Sequence, residues 1–120
     1  MSVIDLTANS TASSVRPENP MPKVKHIALL KFKAGTPQEQ IDKVFEELMD
    51  LSESIPGIED YVTGLNNSPE GLEQGFTHGF VMTFQDAAAL DAYLPHPEHE
   101  RFKTFALPFV EKVAVFDFEV

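Results

Sequence analysis

"FTHGFVMTF", Phe76 to Phe84, alternates without interruption. Phe76, His78, Phe80, Met82 and Phe84 fall on one side of an extended chain; Thr77, Gly79, Val81 and Thr83 fall on the other. A period of two predicts a strand with one face against a core. His78 lies in phase with the apolar set rather than with the threonines.

Working outward, "IEDYVTGL" (Ile58–Leu65) reads as a weaker strand, joined to the first by the polar, glycine-bearing loop "NNSPEGLEQG". Further upstream, "VKHIALLKFK" begins a strand at Val24, with Val24, His26, Ala28, Leu30 and Phe32 on one face. A second histidine is therefore in phase with apolar neighbours. Between these strands, Ile41, Val44, Phe45, Leu48, Leu51 and Ile55 recur at helical spacing, and Pro56-Gly57 stops the helix. Thr36 is the expected N-cap, with Pro37 at the first helical position and Glu39 completing a capping box.

Downstream, Asp86 caps a second helical region opening with "AAALDAYL". Pro95 and Pro97 interrupt it, since proline cannot continue a helix smoothly. It resumes near Glu98, with Phe102, Phe105, Ala106 and Phe109 at helical spacing and another bend at Pro108. "KVAVFDFEV" closes the chain as a strand. The order β-α-β-β-α-β is that of an α+β, ferredoxin-like protomer with the first and third strands at the sheet centre. Both sheet faces carry apolar residues, Ile27 and Leu29 among them, and one helical layer covers only one face. A two-fold homodimer is the simplest cover for the other.

The chain has 120 residues, enough for one domain. Residues 1–22 are rich in Ser, Thr, Asn and Pro and read as a disordered tail; residues 23–120 form the domain. There is no signal-peptide core and no run long enough to span a bilayer. A formal net charge of −10 argues against nucleic acid and against an anionic membrane surface. With no cysteine there is no disulfide, thiolate nucleophile or thiolate metal site, which fits a cytoplasmic protein. The chain also lacks a phosphate-binding glycine loop and a nucleophile elbow. His96 and His99 form an isolated H-x-x-H across a proline break, too little for a zinc site. What remains is cofactor-independent proton transfer by histidine and tyrosine.

Residues 24–120 resemble the stress-responsive dimeric α/β-barrel (Dabb) domain family. The resemblance rests on "VKHIALLKFK", "EQGFTHGFVMTF", "YLPHPEHERF" and "VFDF", which occur in the family's order. It implies a barrel of two protomers packed sheet to sheet. Many members are stress-associated proteins without a defined reaction; a plant member is a polyketide cyclase that closes an aromatic ring by intramolecular aldol chemistry. By motif, the resemblance implies Tyr93 and His99 as catalytic residues, and His26, His78 and His96 as further site positions. Phe80 and Phe102 are the expected apolar contacts of an aromatic or polyketide-like ligand. The cyclase has a tyrosine in its first helix where "EQIDKVFEELMDL" has none, so the pocket wall differs.

Two functions follow from this reading. One is a cyclase or isomerase with an apolar pocket, in which the "PHP" break brings Tyr93 and His99 to the same cavity as His26 and His78. The other is a non-catalytic stress-response dimer whose histidines only satisfy the core, with His96 capping the turn before Pro97.

Overall fold

The computed structural model describes residues 21–120, so all but the last two residues of the expected disordered tail lie outside it. Strand β1 (Val24–Phe32) leads to helix α1 (Gln38–Ser54), followed by β2 (Ile58–Leu65) and β3 (His78–Phe84). Helices α2 (Ala87–Tyr93) and α3 (Pro97–Ala106) come next; a 3₁₀ turn (Leu107–Phe109) carries Pro108 into β4 (Val110–Glu119). The four strands form one antiparallel sheet in the order β2-β3-β1-β4, with β1 and β3 central. This is the ferredoxin-like arrangement expected from the element order.

The helices cover one face. There Val24, Ala28, Leu30 and Phe32 of β1 and Phe80, Met82 and Phe84 of β3 meet Val44, Leu48 and Leu51 of α1. Burying the larger of these side chains, valine to phenylalanine, stabilises by roughly 1.5–3 kcal/mol each. The chain leaves α1 through Gly57, whose φ of +95° suits glycine and whose missing Cβ would stand 2.7 Å from Ala89 Cβ. Any side chain there would press α2 off the sheet.

The N-terminus of α1 differs from the capping box. Pro37 itself occupies the cap position, with extended backbone and no side-chain cap bond. The Thr36 hydroxyl donates instead to the Lys33 carbonyl at 2.7 Å, closing the turn before the helix. Proline pushes the preceding residue toward extended backbone. The helix therefore starts one residue later, and Thr36 no longer reaches its first amides. β3 also starts late: Phe76 lies in the loop before it, with the Lys112 ammonium 4.6 Å from its ring centre.

Among the described residues, nothing covers the second sheet face. Register places Ile27, Val81, Val62 and Phe116 side by side across the sheet, with Leu29, Gly79 and Ala114 in the next row. Phe116 is 67% exposed, Val62 54% and Leu29 40%.

Candidate functional site

On the helix-covered side, the sheet under β1 and β4 does not close fully against α2 and α3. A cavity of about 320 Å³ remains. Its wall includes His26, Phe80, Tyr93, His99 and Phe102, five of the seven residues singled out in the sequence. On the α1 side the wall is Val44 and Leu48, both aliphatic.

His26 is only 6% exposed and sits in an aromatic box. Its ring centre lies 6.1 Å from Phe80, 5.9 Å from Phe84 and 6.0 Å from Tyr93. Its Nδ1–H donates to Asp117 Oδ1 at 2.6 Å, across the β1–β4 pair in which His26 faces Asp117. A carboxylate accepts only, so the proton sits on Nδ1; in the neutral ring, Nε2 carries the lone pair.

Tyr93 closes α2 and is 1% exposed. Burial pushes its phenol well above the usual value, so it stays protonated at neutral pH. Among the described residues its hydroxyl has no hydrogen-bond partner.

The proline break does the rest. Chain direction changes between Leu94 and Pro97, and the His99 ring comes to lie 4.2 Å from that of Tyr93, nearly parallel at 28°. An unbroken helix would carry residue 99 about 9 Å along its axis from residue 93. His99 Nδ1–H donates to the Leu94 carbonyl at 2.9 Å. That bond selects the tautomer with a lone pair on Nε2. Desolvation lowers its basicity below that of free imidazole; the Leu94 carbonyl opposes this, and the Lys103 ammonium adds to it. His99 is a neutral base at pH 7.

His78 lies elsewhere. It shares the helix-covered face, but in the β1–β3 register it stands opposite Leu30, while His26 stands opposite Met82. Four residues along a strand is about 13 Å. His78 stacks on Phe45 of α1 at 5.4 Å, meets Phe32 edge-on at 5.1 Å, and is hydrogen-bonded to Thr77 Oγ1 at 2.7 Å. It borders a separate, more open cleft of about 660 Å³ between α1 and β2. The expectation that all four groups share one cavity is thus corrected: His26, Tyr93 and His99 come together, and His78 does not join them.

His96 is the N-cap of α3. Its Nδ1 accepts from the Glu98 amide at 3.0 Å. It is absent from the cavity wall, which disagrees with a ligand-contact role and agrees with the capping one. Leu94 is 43% exposed and sits at the cavity rim, because the helix ends beneath it.

The family model for the stress-responsive A/B barrel domain matches residues 24–120. The chain belongs to the stress-responsive A/B barrel domain family. It is 35% identical to the Arabidopsis thaliana stress-response A/B barrel domain-containing protein HS1 over 96 residues, 80% of this chain and 88% of that one. Against olivetolic acid cyclase of Cannabis sativa the identity is 32% over 95 residues, 79% and 94% of the two chains. Among solved structures, the hydroxynitrile lyase of Passiflora edulis superposes with a TM-score of 0.78 at 26% identity, covering 84% of this chain and 95% of that one. A dimeric ferredoxin-like protein from Jannaschia sp. CCS1 gives 0.73 at 28% identity, covering 82% and 99%.

Within this A/B barrel domain, two groups of the cavity escaped the sequence reading. Asp117 was passed over as part of a closing strand. The signal was there: it is a carboxylate in phase with Val113 and Val115, the residues of β4 on the helix-covered face. Lys103 was also missed, although it follows His99 by four residues and therefore shares its helix face. Among the described residues, no cluster of three or more His, Cys, Asp or Glu side chains is placed to hold a metal ion. Chemically, the cavity brings a protonated phenol within ring-contact distance of two imidazoles, in a wall that is mostly apolar.

Proposed function

We propose that this A/B barrel protein is a homodimeric, cofactor-independent acid–base catalyst of the cyclase or isomerase type, acting on an aromatic or polyketide-like small molecule in the His26–Tyr93–His99 cavity. One observation carries this reading. A buried phenol and a neutral imidazole are stacked at 4.2 Å in an apolar cavity, and the phenol hydroxyl has no hydrogen-bond partner among the described residues. Leaving buried polar groups unpaired costs about 1–3 kcal/mol each, so a fold that keeps them there reserves them for a ligand.

The chemistry is enolate formation. His99 Nε2 takes a proton from a carbon next to a carbonyl, and the C–H electron pair moves to the carbonyl oxygen. The Tyr93 hydroxyl donates to that oxygen as its charge grows, in a site of low dielectric. The enolate carbon then attacks a second carbonyl of the same molecule, closing a ring. The imidazolium returns its proton to the new alkoxide. The Asp117 carboxylate holds His26 in the tautomer that carries its lone pair on Nε2.

The dimer reading rests on the bare sheet face with Phe116, Val62 and Leu29 and on the dimeric Jannaschia relative. Light scattering coupled to size exclusion should report twice the monomer mass at micromolar concentration. Phe116→Asp places a charge amid that face and should shift the protein toward monomer.

The catalytic reading is tested with 1-phenylhexane-1,3,5-trione, whose internal aldol closure and dehydration give 5-phenylbenzene-1,3-diol. The protein should accelerate appearance of the diol, and His99→Ala and Tyr93→Phe should abolish the acceleration. A rate equal to the buffer blank, together with no binding of the trione, returns the protein to the non-catalytic reading.

A further inference from the structure

Among the described residues, the cavity wall contains a single cationic side chain. Lys103 lies one helical turn after His99 on α3, so both project from the same helix face. Asp117 is the one carboxylate of the wall among the described residues, and its Oδ1 already accepts from His26. Lys103 Nζ instead meets Glu100 Oε2 at 3.2 Å; Glu100 is not part of the wall. Their side chains are 39% and 56% exposed, a pair of the kind that exchanges partners at little cost.

The surroundings decide what such a cation is suited to hold. Exposed apolar residues Leu94, Leu107, Val113 and Val115 form the rim beside it. The chain as a whole carries a formal charge of −10, so its general field repels anions. Lys103 is the local exception, placed where an apolar mouth opens onto a base. Its field also reaches that base, since it makes the His99 imidazole harder to protonate.

We infer that Lys103 is a specificity residue of this cavity, selecting ligands that join an apolar aromatic body to a carboxylate. The carboxylate displaces Glu100 from the ammonium at the lip. The body lies between Phe80 and Phe102 and extends toward Tyr93 and His99. A carboxylate bound there neutralises the Lys103 field at His99, so the base strengthens once the ligand is seated. The inference rests on the cavity being the ligand site proposed above.

Two ligands of one shape and different charge test it. Titration calorimetry on the full chain compares 4-butylbenzoate with the neutral 4-butylbenzamide. The benzoate should bind about five- to tenfold tighter at low salt. Lys103→Met should erase that preference, and Lys103→Arg should retain it. Lys103 is partly exposed, and a thermal melt of each variant verifies that the fold is kept. Equal affinities in the unmodified protein, or a preference that survives Lys103→Met, overturn the inference. If both ligands bind equally and both weaken in Phe102→Ala, the cavity reading stands and the Lys103 inference alone falls. If neither binds, the cavity reading falls and takes the inference with it.

Discussion

His26 and His78 begin as equals. Both lie on central strands, both are in phase with apolar neighbours, and both face the helices. They end in different environments. His26 is sealed in an aromatic box, donates to Asp117 and shares a cavity with Tyr93 and His99. His78 is partly exposed, stacked on Phe45 and bonded to the neighbouring threonine, at the edge of an open cleft. The difference lies in register. Face is a property of one strand with period two; register depends on where two distant strands meet. A shift that keeps a residue on its face can still move it by two or four positions.

The largest expected contrast is in turnover. Positioned acid–base groups contribute about 10²–10⁴-fold. Once a substrate such as the trione above is turned over, His99→Ala and Tyr93→Phe should each lose on that order. His78→Phe preserves the stack on Phe45 and should lose less than about tenfold, since no proton is moved there. Comparable losses at His78 and His99 would break the distinction between the two sites.

Stability should separate the two histidines next. Asp117→Ala leaves the buried His26 N–H without its acceptor, at about 1–3 kcal/mol. That corresponds to a fall in Tm of roughly 4–8 °C per kcal/mol for a domain of this size. Thr77→Val removes the partner of His78 at an exposed position and should stay within about 0.5 kcal/mol. Thermal melts at one protein concentration measure both.

The pH dependence sharpens the comparison further. Desolvation lowers the basicity of both His78 and His99 below the free imidazole value of 6.5. The unfolded chain therefore binds more protons than the folded one just below that pH. Both groups thus contribute stability that is present above pH 6.5 and lost as pH falls through their folded values. Melts between pH 7.5 and 5 should show Tm falling, and His78→Phe should flatten part of the slope. Turnover should instead follow His99 alone. It should persist below pH 6.5 and drop as His99 protonates, with a midpoint that His78→Phe leaves in place.

Much of this was legible in the sequence, and the boundary is physical. Strand phases on β1 and β3, the apolar stripe of α1 and the element order are local patterns, and each matches the structure. The proline break between Leu94 and Pro97 was legible too, because proline acts on its own helix. The helix start at Thr36 was misread, because Pro37 took the cap and the threonine hydroxyl turned back to Lys33. His78 was misplaced because register is long-range. Asp117 was missed because its role depends on His26, ninety-one residues away and meaningful only once β1 and β4 are paired.

Placing the chemistry at His26, Tyr93 and His99 rather than at His78 is the central claim. It is tested most directly by long-range ¹H–¹⁵N spectra of the imidazole nitrogens during titration with 4-butylbenzoate. The account predicts that the ring signals of His99 and His26 move with saturation and that those of His78 and His96 stay in place. Movement of the His78 ring, with His99 and His26 unchanged, would contradict it.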